Sequence, residues 1–552
     1  MTTDPKRKLE DMLQIDLRQF VEQQLGVAQW VPVYGHPPSA HGTLFSALIP
    51  NTHVKAALDN MGWDLMIGQG TPGISISFGG GKEERAYHRL GDYGGIEPLV
   101  LVRDFHGLRP SYPEISEEFR LFHNLFHDTR TNTYLKFTDS GDEEEVIRFR
   151  DGGVQIRLKE LRQFLAIKEM HLALYFDLRR HSPESLATLN PDGHSVVFRN
   201  ELMRYEVVLG ELTFGSDGER TFSRLIGKKL IPPLPKEQSN FWPYEQRKSH
   251  AEFIVGVDAA GEPVLFSSDP DKLSNYFTEV PGAPHYLTPI FFKREVLAKY
   301  FAKPTRYEVT DGRLTCAGLW SVQIDTEFKD HVAVFLGDLG RDLPYDDQLY
   351  WKTFNLPPQG NISATNFKRS FLAQFTDPEH PELVFKAKYE RFRKGWSKRF
   401  GWDLLKPLGA EDAHLFSTLR VPLQDEQGEF DEQVLALTKI LVDSLNEREL
   451  EGAIPPQPEN TKGISKLKVY LESKGMPDAQ QQIKFLRNLQ SLRMGGAHRK
   501  GEDYRKAAAT FGMDEKTLRV VFDTVFRGAI ALLDALERHF LVPPPPTPPA
   551  TA

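Results

Sequence analysis

The chain has 552 residues, 40% hydrophobic and 26% charged, an ordinary globular balance; at roughly 150 residues per domain it gives about three or four folding units with room for a large core. A single cysteine, Cys316, excludes an intramolecular disulfide, and no run approaches the ~18 apolar residues of a membrane span, so a soluble, cytoplasmic protein with no membrane partner is expected. The net charge of −8 is unevenly spread: residues 461–541 hold 15 Lys and Arg against 9 Asp and Glu, a basic module on an acidic remainder that points to a local anionic partner such as nucleic acid.

To about residue 428 the sequence predicts mixed α and β structure with many turns. Residues 17–25 predict a helix. Residues 74–78 alternate as a strand and run into Gly79-Gly80-Gly81, a glycine-rich turn. It is not a phosphate loop, because Glu83 stands where a Ser or Thr would follow Lys82. Residues 116–126 predict a helix that sets His123 and His127 four apart. That spacing can ligate zinc, but Phe119, Phe122 and Phe126 form the buried stripe and leave the histidines at its edge. Residues 146–150 and 154–157 flank Asp151-Gly152-Gly153, a hairpin signal, and residues 158–167 predict a helix. Further strand pairs are expected at 252–257 with 263–266, and at 306–310 with 314–324 across Asp311-Gly312. Residues 332–336 read as a strand, and 294–301 and 366–375 as helices. Hairpin-joined strands with inserted helices indicate α+β rather than regular βαβ alternation. The prolines around 231–235 and Pro243 divide this body into domains 1–235 and 236–428.

Residues 385–402 carry seven cations, Lys386, Lys388, Arg391, Arg393, Lys394, Lys398 and Arg399. Phe385, Tyr389, Phe392 and Trp396 recur there at helical spacing, so the aromatics are expected in the core and the cations in solvent, where phosphates can reach them. From residue 429 the texture becomes all-helical. Val434, Leu437, Leu441 and Leu445 share a face. Residues 452–460, with three prolines, break the pattern. Helices are expected at 478–492, 503–510 and 514–540, with Gly512 as a stop and Asp514 as an N-cap. The fold class is therefore an α+β body followed by an all-α helical bundle, 429–541, and a Pro-rich tail, 542–552, too poor in apolar side chains to build a core.

The most specific feature is Arg493-Met494-Gly495-Gly496-Ala497-His498, with Arg499 and Lys500 after it and Lys484, Arg487, Arg505 and Lys506 around it. On an unbroken helix, residues five apart point about 140° from each other. Two glycines let the chain fold back and bring guanidinium and imidazole to one side. Such a pair suits RNA cleavage without a metal. Arginine grips phosphate oxygens in a fork, and histidine moves protons near neutral pH. Arg-x4-His between helices of a small helical domain resembles the HEPN superfamily of ribonucleases, and a large N-terminal module before it resembles the layout of ApeA-like abortive-infection proteins. The resemblance spans about residues 430–541. It implies metal-independent cleavage, with Arg493 on the phosphate and His498 in proton transfer. It also implies a composite site made by two copies, so a homodimer or higher oligomer, and a role in phage defence with an unknown trigger, such as a phage component, sensed by the body. The flanking cations Lys484, Arg487, Arg499, Lys500, Arg505 and Lys506 would bind RNA. No cofactor and no metal is expected.

Two alternatives remain. Met494 stands where the family often has Asn, Asp or His, which favours a non-catalytic RNA- or protein-binding regulator. Asp311, Glu327 and Lys329 resemble the Asp…Glu-x-Lys site of a metal-dependent nuclease, although Asp311 before Gly312 also reads simply as a turn.

Overall fold

A computed structural model describes residues 5–36, 41–63, 72–92, 94–189, 196–212, 218–310, 312–328, 330–360, 363, 381–493 and 501–541. The chain forms two compact units, Met1–Thr138 with Asp142–Arg247, and Asp139–Gly141 with Lys248–Ala552. The structure is mixed α and β, with helices concentrated toward the C-terminus.

The first unit is built on two antiparallel sheets. One has six strands, in the order Val196–Arg199, Met203–Glu211, Thr221–Ile231, Met170–Ser182, His41–Pro50 and Glu97–Pro98. The other orders Trp30–Tyr34, Gly153–Arg157, Glu143–Arg150, Thr133–Phe137 and Phe126–Asp128. The expected hairpin at Asp151-Gly152 forms, with Arg150 paired to Gly153 and φ of +51° and +71° at the two turn residues, the geometry that matches strand twist in a two-residue loop. Alternate residues of Met203–Glu211 and Thr221–Ile231 point inward. Both sheets and the helices Ile15–Gln23 and Leu158–Lys168 share one core, which holds Val21, Val33, Phe164, Leu174 and Leu225.

The predicted helix over 116–126 stops early, at Phe122. Asn124 adopts a φ of +49° and turns the chain, so His127 lies in the strand Phe126–Asp128. The expected long strand over 314–324 is two strands, Arg313–Cys316 and Trp320–Gln323, split by a turn with Ala317 at φ +44°.

The second unit holds two apolar clusters. One lies among the strands and helices of residues 251–351 and contains Phe292, Tyr300, Cys316 and Trp351. There the buried Asp347 accepts hydrogen bonds from Lys299 Nζ at 2.7 Å and Tyr300 Oη at 2.8 Å. The other belongs to the helices and begins at Phe385, upstream of residue 429. Helix Pro381–Phe400 buries Phe385, Tyr389, Phe392 and Trp396, as the aromatic spacing predicts. Much of its basic face is used for packing. Lys388 pairs with Asp534, Arg391 with Glu537, and Lys386 and Arg393 donate to the carbonyls of Ser417 and Leu405. These pairs run in step with helix Leu518–Phe540, so the two helices lie parallel.

Helix Leu518–Phe540 does not start at Asp514. Residues after Gly512 (φ +77°) form a turn, with Glu515 N and Lys516 N donating to the Gly512 carbonyl. The helix N-terminus is capped instead by Asp425, which accepts from Leu518 N and Arg519 N. The expected helix at 366–375, Asp311, Lys329 and the tail 542–552 lie outside the described residues.

Candidate functional site

Helix Ala479–Arg493 buries Ala479, Gln482, Ile483, Leu486, Leu489 and Leu492 at helical spacing. That choice of face is forced by the apolar residues, and it leaves Lys484 and Arg487 exposed. Arg493 is the last described residue of this helix. Its Nη1 donates to Asp443 Oδ2 at 2.6 Å. The two side chains are 36% and 41% exposed, so the guanidinium is held at the surface by one carboxylate rather than sealed in the interior.

Asp443 was not visible as a partner in the sequence. It ends a π-helical turn, Lys439–Asp443, that continues helix Gln427–Thr438. Thr438 Oγ1 donates to the Val434 carbonyl and Ser444 Oγ to that of Ile440, which helps to hold the wider turn. No spacing in the sequence marks it, because Leu437 and Leu441, four apart, fit an ordinary α-helical face.

Met494, both glycines, His498, Arg499 and Lys500 lie outside the described residues, so the expected convergence of Arg493 with His498 does too. Helix Glu502–Phe511 carries Arg505 and Lys506 on exposed positions. Lys506 pairs with Glu502 at 2.7 Å at strong exposure, a contact of little energetic weight. This helix packs against Ala479–Arg493, with the rings of Phe485 and Phe511 6.3 Å apart. The four expected RNA-binding cations that are described thus sit on two neighbouring helices, with Lys484 and Arg487 on faces of the first that differ from that of Arg493.

The other candidates are placed as follows. Glu327 lines a cleft of about 560 Å³ in the second unit with Arg294, Asp330, Asp425, Arg519 and Asp523. Arg294, buried by its surroundings, donates to the carbonyls of Thr326 and Phe328 at 2.9 and 2.8 Å and to Glu382 at 3.3 Å. Arg519 lies 3.8 Å from Asp330. The cleft therefore mixes both signs of charge in a network that joins elements of the unit. Among the described residues no group of three or more His, Cys, Asp or Glu is placed to hold a metal ion. His123 and His127 do not converge. His123 is buried and bonds the Glu160 carbonyl at 2.9 Å, and burial holds its pKa down at about 4. His127 bonds Asn132 at 3.1 Å and stacks on Tyr134. Cys316 is fully buried, and burial pushes its thiol pKa up, which makes it an apolar filler rather than a nucleophile. No helix among the described residues is long and apolar enough to cross a membrane. No family model matches the chain, and no curated protein or solved structure is similar to it.

Proposed function

We propose that the helical part of the second unit is a HEPN-like ribonuclease domain in an antiphage, abortive-infection type of effector, with the remaining body sensing a trigger or restraining it. The observation that carries this reading is Arg493, held half-exposed by Asp443, with Lys484 and Arg487 exposed earlier on the same helix. Arg493 would grip the scissile phosphate. His498 would take the proton from the 2′-hydroxyl as its oxygen bonds to phosphorus. The bond to the 5′-oxygen then breaks, and that oxygen leaves with a proton from an acid supplied by a second copy of the domain. The products are a 2′,3′-cyclic phosphate and a 5′-hydroxyl, with no metal in the balance.

The test is cleavage of RNA in EDTA by the full chain and by Arg493→Ala and His498→Ala. Both variants should lose activity with an unchanged circular dichroism spectrum. Cleavage that EDTA stops would reject the mechanism. The Arg493–Asp443 pair also favours a second reading, a binding protein without chemistry, because the carboxylate already neutralises the arginine. In that case RNA affinity is unchanged by His498→Ala and no RNA is cut.

A further inference from the structure

In the first unit, strand Gly73–Gly79 pairs with Lys82–His88 across the glycine turn, and neither strand pairs with a third among the described residues. Gly80 and Gly81, at φ +61° and +79°, supply the backbone that a two-residue hairpin turn needs. No residue of this ribbon is buried. A lone two-stranded ribbon is marginally stable in water and leaves both of its edges open.

The ribbon has two unlike faces. Directly opposed residues share a face. Ile74 with Tyr87, Ile76 with Arg85 and Phe78 with Glu83 make one, and Ser75 with Ala86 and Ser77 with Glu84 the other. Ile74, Ile76, Phe78 and Tyr87 are 72%, 52%, 81% and 63% exposed. At ~150–250 Å² for a fully buried aromatic, these four side chains offer roughly 500 Å² of surface, a patch of the size that is often functional on a soluble protein. The charges around it decide what covers it. Lys82 and Arg85 are matched by Glu83 and Glu84, so the ribbon has no net charge with which to hold nucleic acid. Glu83 stands directly opposite Phe78, so pressing this face into lipid would bury a carboxylate. A protein surface with its own pair of opposite charges fits, and a second copy of the ribbon is such a surface. Turned end for end about a two-fold axis at the level of Ser77 and Glu84, it sets Arg85 of each copy against Glu83 of the other, and Ile76 against Phe78. Ile74 and Tyr87 then lie over the other copy's glycine turn, where a Cβ at Gly80 or Gly81 would meet nothing within 4 Å. Opposite charges meet, and bulk meets glycine.

We propose that the apolar face of this hairpin is a contact between two copies of the chain, the same patch on each, related by a two-fold axis. Roughly 500 Å² per copy falls short of the ~800 Å² per partner of a standard stable interface, so association through it is weak, with a midpoint of about 1–100 µM. The contact lies in the first unit and uses neither Arg493 nor His498, so it stands apart from the nuclease reading.

Sedimentation velocity of the full chain over a concentration series tests it. The wild type should double in mass across that range, and Phe78→Ser should raise the midpoint at least about tenfold. Arg85→Glu and Glu83→Arg should each weaken association about tenfold, and the two together should restore it, because the pair is kept with its signs exchanged. Ser77→Lys, on the opposite face, should have no effect. All four positions are exposed, so each variant should keep the wild-type melting curve. A chain that stays monomeric to about 100 µM, above the range expected for so small an interface, overturns the proposal. So does a doubling that no variant of the apolar face moves, as a dimer made by the helical part alone would give. Single charge reversals without effect, or a double reversal that fails to restore association, overturn it as well. Flotation with phosphatidylglycerol vesicles that Phe78→Ser abolishes would assign the face to lipid and reject the second copy.

Discussion

Asp443→Asn keeps the shape of the group that anchors Arg493 and removes its charge. The paired side chains are 36% and 41% exposed and meet at 2.6 Å. Solvent screening therefore limits the pair to about 0.2–1 kcal/mol of stability. Urea unfolding of Asp443→Asn, Arg493→Ala and the double variant should give a coupling energy inside that range. The functional effect is expected to be larger and to have two signs. RNA affinity should rise, because a carboxylate no longer competes with phosphate for the guanidinium. Cleavage should slow by about tenfold, because the guanidinium loses the contact that aims it. Filter binding across a salt series and single-turnover cleavage read the two effects separately. In an Arg493→Ala background Asp443→Asn should change neither. If it still alters binding or cleavage when Arg493 is absent, the carboxylate acts on something else and the pairing argument is wrong.

Two further perturbations test the packing that supports these sites. A Cβ at Gly528 would come within 2.4 Å of the Phe485 ring. Gly528→Ala should therefore destabilise the helical part by about 1 kcal/mol, as overpacking outweighs the ~1 kcal/mol gain in helix propensity. In a Phe485→Ala background the same change should become stabilising, and a penalty that persists there in chemical denaturation would refute the steric account. In the first unit, burial holds the pKa of His123 at about 4, below its ordinary 6.5. The unfolded chain then binds the proton first as pH falls. The unit should lose stability from about pH 6.5 down to about pH 4, at up to ~1.4 kcal/mol per pH unit. His123→Gln, whose amide can still donate to the Glu160 carbonyl, should flatten that slope, and an equal slope in the variant would show that other groups set it.

Features that depend on neighbouring residues were legible in the sequence. Asp151-Gly152 reads as a hairpin because a two-residue turn needs backbone that these residue types supply, and no distant partner is involved. The burial of Phe385, Tyr389, Phe392 and Trp396, and the exposure of Lys484 and Arg487, follow from the face that apolar spacing selects. What escaped was set by groups far along the chain. Asp514 looked like a cap, but the capping carboxylate is Asp425, 93 residues before Leu518. The helix at 116–126 looked continuous, but the chain turns at Asn124 after His123 seats on the Glu160 carbonyl, 37 residues away. Asp443 is a further case of the same rule. A π turn inserts one residue into the helical count and rotates the following side chains. Asp443 therefore cannot be assigned to a face by extending the period from Val434, yet it is the residue that meets Arg493, 50 positions on. A carboxylate displaced from the helical register costs the helix regularity and returns little stability at this exposure. Holding the bundle together is therefore not what the pair contributes most, and the coupling of Asp443→Asn with Arg493→Ala in RNA binding is where its role would show.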